Sequence, residues 1–254
     1  MRVGLFVTCV NDALRPQTGR AVVTLLERLG VRVGFPSAQS CCGQPLYNTG
    51  YRRASEPLVL RSASAFAGYD YVVTPSASCA AMIRDHYPRI AARAAEEARP
   101  AGRAAELAAA AEDMAGRTHE LTEFLVDVLG VTDVGASFPH TVTYHPTCHG
   151  LRALGLADRP RQLLERVRGL RLRELDGATE CCGFGGTFCV KNPDVSTAMG
   201  TDKARAVIAG GAEVVCAVDN SCLLHIGGVL ARLGSAVRPL HLAEILASTG
   251  GAAA

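Results

Sequence analysis

The chain has 254 residues, of which 48% are hydrophobic and 20% are charged, and its formal net charge is +2. This balance gives no electrostatic footprint for nucleic acid, and no apolar run reaches the roughly 20 residues that a membrane-spanning helix needs. The sequence also contains ten cysteines. Because the N-terminus reads as a strand and not as a signal peptide, we expect a cytoplasmic protein whose cysteines serve metal or redox chemistry instead of disulfides.

The first half of the chain alternates strand and helix patterns, and its main β-type runs lead to a cysteine. In chain order the predicted elements are a β-type run at 3–9, an amphipathic helix around 25–28, an alternating strand at 31–33, a β-type run at 72–79 and a closing helix at 121–125.

The second half repeats this order. Its predicted elements are a β-type run at 142–148, a helix around 163–166 with the same Leu-Leu-Glu-Arg sequence, a strand at 170–172, a β-type run at 215–222 and a closing helix at 242–246. The sequence therefore contains one unit used twice.

Alternating strands and helices predict an α/β fold with parallel strands. The repetition predicts two α/β halves related by a pseudo-two-fold axis, each with its own parallel sheet. We expect the first repeat at 1–135 and the second at 136–254. The first repeat is longer, and its Ala-, Arg- and Glu-rich stretch predicts a helical insertion near 89–116, which is either a partner-docking arm or an exposed decorative helix.

Eight of the ten cysteines occupy equivalent places in two copies of a Cys…Cys-Cys-Gly…Cys frame. They are Cys9, Cys41, Cys42 and Cys79 in the first half and Cys148, Cys181, Cys182 and Cys222 in the second. Adjacent cysteines rarely bond to each other, because disulfide geometry is narrow. In parallel α/β sheets, ligands bind beyond the carboxyl ends of the strands. We therefore predict that each set of four holds a metal ion or an iron–sulfur cluster.

This double frame resembles the cysteine-rich CCG domain family, whose members include a cluster-binding subunit of heterodisulfide reductase and the iron–sulfur subunit of glycolate oxidase. The resemblance is carried by residues 40–45, 75–79, 181–188 and 219–226, covers essentially the whole chain and is closest to the lactate utilisation members. It implies an iron–sulfur subunit that acts with two further subunits, one of them also an iron–sulfur protein, to oxidise L-lactate to pyruvate.

The resemblance also bears on the type of cluster. In the heterodisulfide reductase relative, five cysteines hold a non-cubane cluster, and the motif ends in Cys-x-x-Cys. Here Ser76 and Asp219 occupy the first position of that pair. Four thiolates per half suit a 4Fe–4S cluster, so one or two such clusters are implied. A five-donor cluster would require an oxygen ligand from Asp219 or Ser76.

Several residues outside the frame leave alternatives open. Cys189 reads as a structural residue, an extra ligand or a reactive thiol, whereas Cys216 reads as a buried, inert cysteine. His145 and His149 flank Cys148 and are either ligands or groups that contact the ligands or a substrate. Two lysines of the second half, Lys191 and Lys203, either attract a carboxylate substrate or a partner or are merely solvated side chains, which is the commoner case.

Three functions fit the sequence, and no catalytic residue is assigned in any of them. The first is an electron-transfer subunit, and the second is a second-half cluster that converts a 2-hydroxy acid or a disulfide directly. The third is a structural zinc site in one motif, for which the first half is the better candidate because it lacks the glycine-rich loop and the histidines of the second.

Overall fold

The computed structural model of the chain describes residues 1–97 and 100–250. Within these ranges the strands form two four-stranded sheets in which all neighbours are parallel. The first sheet contains β1 (Arg2–Leu5), β2 (Arg32–Gly34), β3 (Tyr71–Thr74) and β4 (Thr118–Glu120), in the order β2-β1-β3-β4. The second contains β5 (Thr141–Tyr144), β6 (Arg171–Arg173), β7 (Val214–Ala217) and β8 (Arg238–His241), in the order β6-β5-β7-β8. The predicted α/β fold with two parallel sheets is confirmed.

Helices connect the strands, as parallel neighbours require. In the first half they are α1 (Cys9–Leu14), α2 (Pro16–Arg28), α3 (Gln44–Asn48), α4 (Arg52–Ala65), α5 (Ala77–Ala81), α6 (Tyr87–Glu96), α7 (Ala101–Arg117) and α8 (Leu121–Glu123). In the second half they are α9 (Arg159–Glu165), α10 (Phe188–Lys191), α11 (Pro193–Ala209), α12 (Asn220–Arg232) and α13 (Leu242–Ala247). Three π-helical turns accompany them, at Met82–His86, Phe124–Val128 and His149–Ala153. Among the described helices, none is both long enough and apolar enough to span a membrane.

A shared hydrophobic core joins the two halves. It combines Leu25 and Phe124 of the first half with Val142, Leu163 and Leu246 of the second, all without exposed surface. Helix α13 packs on α2, and α1 contacts α12. Because one core crosses the border between the repeats, we treat 135/136 as a proposed boundary between structural repeats and not as a border between independent units.

Two helices occupy the stretch in which the sequence predicts an insertion near 89–116. Helix α7 packs against α4 and α6, and Leu107, Ala111 and Met114 are buried in the separate core of the first half. Residues 98 and 99 of that stretch lie outside the described residues. Helix α7 therefore contributes to folding of the first half and is more than decoration.

Candidate metal centres

The carboxyl ends of the first sheet gather the first four cysteines. Cys9 begins α1 just after β1, Cys79 lies in α5 just after β3, and Cys41 and Cys42 lie in the loop that follows β2. The Sγ atoms of Cys9 and Cys41 are 3.7 Å apart, and those of Cys42 and Cys79 are 3.3 Å apart. All four are free thiols. The structure thus brings together the four sulfurs that the sequence predicts as one ligand set.

The second sheet repeats this arrangement. Cys148 precedes the π-helical turn His149–Ala153 and Cys222 lies in the first turn of α12, while Cys181 and Cys182 follow β6. Interaction with the thiols of Cys148 and Cys182 lowers the pKa of Cys181, and the Sγ atoms of Cys182 and Cys222 lie within 4.8 Å of each other. We refer to the two groups of four as the first and the second centre.

A glycine shapes each Cys-Cys-Gly turn. Gly43 has φ 90° and Gly183 has φ 89°, values that favour glycine because a Cβ atom would be strained there. Each backbone N–H points back at a thiol sulfur, from Gly43 to Cys41 at 3.5 Å and from Gly183 to Cys181 at 3.3 Å. These N–H groups stabilise negative charge on the sulfur, as cluster-binding turns do.

The pKa values of the thiols indicate which sulfurs carry negative charge before a metal binds. Hydrogen bonds from Cys42 and Cys9, with the Gly43 N–H, lower the pKa of Cys41 to about 2. Hydrogen bonding to Cys41 and Cys79 together with burial raises the pKa of Cys42 well above its usual value. Cys41 is therefore the sulfur that most readily carries negative charge, whereas the raised pKa values of Cys9 and Cys42 disfavour their ionisation unless a cation is present. The donor set fits a thiolate-bound metal.

A buried histidine lies beside the second centre. His145 has no exposed surface, and neither ring nitrogen has a hydrogen-bond partner among the described residues. Its nearest donor nitrogen and the Sγ atoms of Cys182 and Cys222 all lie within 4.8 Å of one another. Burial, followed by the positive charge of Lys203, lowers the pKa of His145 to about 4. Leaving such polar atoms unpaired costs about 1–3 kcal/mol for each group.

Lys203 is the unexpected residue of this region. The sequence reading of a solvated lysine is wrong, because the residue on α11 is only 1% exposed. Its Nζ donates to the carbonyl oxygen of Gly177 at 2.5 Å. Burial lowers its pKa, while the charges of Glu180 and of the second-centre thiolates act in the opposite direction. Lys203 thus places a buried amine near the second centre, where the thiolate charges favour its protonated form.

Two cavities open next to the cysteines, with volumes of about 230 Å³ at the first centre and about 210 Å³ at the second. Each is lined by all four cysteines of its own centre. Six residues line both cavities and so form a common wall, which consists of Gln44, Ser78, Phe184, Gly186, Asp219 and Ser221. One layer of side chains therefore lies between the two cavities.

Asp219 of the second half, a residue of this wall, accepts hydrogen bonds from two serines of the first half. Its Oδ1 accepts from the hydroxyls of Ser76 at 2.9 Å and Ser78 at 3.1 Å, and its Oδ2 accepts from the Ser78 N–H at 2.8 Å. Burial raises the pKa of the Asp219 carboxyl, although these hydrogen bonds act against the shift. Since Ser76 also caps α5 by accepting from the Cys79 N–H, both oxygen donors considered for a fifth ligand are committed to the contact between halves.

The sequence comparison agrees with the duplicated geometry. A family model described as the CCG cysteine-rich domain matches twice, at residues 3–84 and 142–227. The chain belongs to the CCG cysteine-rich domain family.

Curated relatives match over nearly the full length of this CCG protein. A lactate utilization protein A from Geobacillus kaustophilus is 48% identical, over 97% of this chain and 98% of the relative. Proteins of the same name from Oceanobacillus iheyensis, 44% identical over 97% of this chain and 96% of the relative, and from Geobacillus thermodenitrificans, 46% identical over 97% and 98%, are also similar.

Residues outside the CCG frame have other surroundings. Cys216 lies in β7 without exposed surface, as expected of an inert core cysteine. The Sγ of Cys189 contacts the carbonyl oxygen of Gly186 at 3.0 Å. His149 points its Nε2 at the Nε2 of Gln44, 3.2 Å away, and lines the second cavity. The surroundings of His149 thus differ from those of His145, although the sequence alone could not distinguish the two histidines.

Proposed function

We propose that this chain is an iron–sulfur subunit of a lactate-oxidising complex, and that it carries electrons through one thiolate-bound cluster in each half. The observation that carries the proposal is the pair of four-cysteine groups on either side of one wall of side chains. The name shared by its relatives, lactate utilization protein A, supports the pathway.

The proposed ligands are the eight cysteines of the frame. Cys9, Cys41, Cys42 and Cys79 hold the first cluster, and Cys148, Cys181, Cys182 and Cys222 hold the second. Four thiolates match a 4Fe–4S cluster, which supplies one-electron transfer when bound. The chain orients the sulfurs through the glycine turns and shields Cys42 and Cys79 of the first set and Cys182 of the second from solvent.

Oxidation of L-lactate to pyruvate releases two electrons and two protons. In our proposal another subunit removes them from lactate, and this chain passes the electrons onward one at a time. The complex has two further subunits, one of them an iron–sulfur protein, and operates in the reducing cytoplasm, where thiols remain available. The shared wall supports transfer between the centres, because their cavities meet at Asp219.

The test is lactate-dependent reduction of the clusters in the assembled complex under anaerobic conditions, followed by electron paramagnetic resonance (EPR). We expect lactate to reduce the wild-type clusters and pyruvate to leave them oxidised. The double variant Cys181→Ser, Cys182→Ser should block onward electron transfer, whereas Cys189→Ser serves as a matched cysteine control and should not. Full electron transfer in the double variant would contradict the proposal.

A second candidate function has its own supporting observation. The cavity at the second centre is lined by polar side chains, including Gln44, His149, Asp219 and Ser221, which suit a carboxylate- and hydroxyl-bearing substrate. The second cluster would then bind a 2-hydroxy acid or a disulfide directly. Substrate-induced changes in the EPR spectrum of the isolated chain favour this function, and an unchanged spectrum at saturating lactate and pyruvate rejects it.

Zinc at the first centre is the alternative assignment of the metal. Four thiolates bind zinc tetrahedrally, and such closed sites stabilise folds. Zinc without sulfide in a chain retaining only the first four cysteines would establish this alternative, and iron with matching sulfide would reject it.

A further inference from the structure

His145 occupies a position at which the two halves differ. Its backbone N–H donates to the carbonyl oxygen of Cys216 just after β5, as the N–H of Phe6 donates to that of Val73 just after β1. The two residues are therefore structurally equivalent. Phe6 fills its place with an apolar ring stacked on Phe66 at 5.5 Å between centroids. The second half fills the same buried place with an imidazole that has no hydrogen-bond partner among the described residues.

The imidazole lies within reach of a metal at the second centre. Its donor nitrogen and the sulfurs of Cys182 and Cys222 all lie within 4.8 Å of one another. Two ligands on one metal, with bond lengths of about 2.0 Å to nitrogen and 2.3 Å to sulfur, lie at most about 4.3–4.6 Å apart. A shift of a few tenths of an ångström therefore suffices to bring the imidazole nitrogen and either neighbouring sulfur onto one metal ion.

We propose that His145 is a nitrogen ligand of the second centre and binds a metal ion that one of its two neighbouring thiolates, Cys182 or Cys222, also holds. The inference rests on the proposed metal centre in the second half and adds a fifth donor to its four thiolates. An imidazole is a common ligand of iron and zinc, and it replaces thiolate in some iron–sulfur centres. The first centre has a phenyl ring at this place and has no such donor, so the two centres differ in their ligands although their cysteine frames match.

Pulsed EPR measures this difference directly. The protein is the anaerobically purified, reduced full chain with Cys41→Ser and Cys42→Ser, so that only the second centre contributes. We expect the hyperfine coupling of a directly bound nitrogen-14 nucleus. Adding His145→Phe, which introduces the side chain found at the equivalent place in the first half, should abolish this coupling while iron and sulfide remain bound.

His149→Gln is the matched control, because His149 also neighbours Cys148 in sequence but points at Gln44. This variant should keep the nitrogen coupling. Wild-type chain labelled with nitrogen-15 histidine should show the isotope change without any substitution, which keeps the test valid if a variant misfolds. If the second centre holds zinc, X-ray absorption on the same proteins should show an imidazole shell that His145→Phe removes.

The outcomes separate this inference from the function on which it rests. A loaded second centre without a bound-nitrogen signal, or with only the weak coupling of a hydrogen-bonded imidazole, overturns the ligand assignment and leaves the metal centre intact. Loss of the signal in His149→Gln instead of His145→Phe also overturns it. A second half that binds no metal removes the proposed function and the ligand assignment together.

Discussion

The two halves of the chain share a cysteine frame but differ in the residues packed behind it. At equivalent places the first half has Phe6 and the second has His145, and the second half also has Lys203 near its centre, all of them buried. The sheets fix where the sulfurs meet, since both frames lie at the carboxyl ends of parallel strands. The side chains behind them set the charge and the available donors. The two centres therefore share the placement of their sulfurs and differ in the groups packed around them.

The largest predicted effect is the loss of bound metal from one centre when two of its cysteines are replaced. The double variant Cys41→Ser, Cys42→Ser should lose the metal of the first centre, and Cys181→Ser, Cys182→Ser that of the second. Each loss should exceed the about 10–100-fold weakening that follows removal of an outer partner of a metal ligand. Metal and sulfide per chain measure it. If one pair emptied both halves, the centres would not be independent.

The two glycine turns should respond unequally to an added methyl group. Both residues have positive φ, so alanine costs about 1–2 kcal/mol at either place. At Gly183 the new Cβ would also lie 2.5 Å from the carbonyl oxygen of Ser196, whereas at Gly43 its nearest neighbour is the flexible end of Leu58 at 3.2 Å. We expect Gly183→Ala to lose a further about 1–3 kcal/mol of unfolding free energy.

Chemical denaturation of the full chain under reducing, anaerobic conditions measures both glycine variants. Gly43→Ala is the matched control, because it has the same conformation and the same place in the motif. Equal losses would mean that the tight contact behind Gly183 relaxes without cost.

Equivalent positions should also give opposite pH dependence of stability. Glu120 and His241 each end the last strand of their sheet and accept a backbone N–H from the following helix. Burial raises the pKa of Glu120 to about 7 and lowers that of His241 to about 4. Glu120 therefore contributes to stability below the pKa of about 4.5 that it has in the unfolded chain, and this contribution is lost as pH rises through its folded-state pKa of about 7. The His241 contribution is present above about 6.5 and is lost as pH falls through about 4.

Single variants should expose these two opposed contributions. In wild type, the free energy of unfolding should fall by about 3 kcal/mol as pH rises from 4.5 to 7, because each pKa unit corresponds to about 1.4 kcal/mol. Glu120→Gln should not show this decrease. The wild-type free energy of unfolding should also fall by a similar amount as pH falls from 6.5 to 4, and His241→Gln should not show that decrease. Unfolding free energies measured at several pH values test the slopes. Parallel curves for wild type and both variants would contradict the assignment.

The smallest predicted effect concerns Cys189, one of the two cysteines outside the repeated frame. Cys189 contacts the Gly186 carbonyl oxygen and, unlike the eight frame cysteines, lines neither cavity. Cys189→Ser should therefore leave metal and sulfide content unchanged and alter stability by less than about 0.5 kcal/mol. Loss of metal in this variant would make Cys189 a ligand and break the four-cysteine account of the second centre.

The sequence predicts the parts of the fold that depend on local pattern. Apolar runs before Cys9, Cys79, Cys148 and Cys222 predict the central strands, because strands buried on both faces are continuously apolar. Repetition then predicts two sheets with equivalent sites. The last strand of each sheet was missed, since Thr118–Glu120 and Arg238–His241 are short and partly polar, and their pairing depends on the neighbouring strand.

The surroundings of the centres were harder to predict. Burial of Lys203 depends on how α11 packs over the loop at Gly177, which no local pattern encodes. For His145 the sequence does contain a signal, because the repeat aligns it with Phe6, whose position is apolar in the first half. A polar residue at such a position indicates a specific partner.

The central claim is that the chain holds two thiolate-bound iron–sulfur centres, one in each half. Iron, acid-labile sulfide and zinc per chain, measured on anaerobically purified wild-type protein, test it most directly. The account predicts about eight irons with matching sulfide, because each 4Fe–4S cluster contributes four of each. Zinc without sulfide at both motifs, or a chain that binds no metal under these conditions, would contradict it.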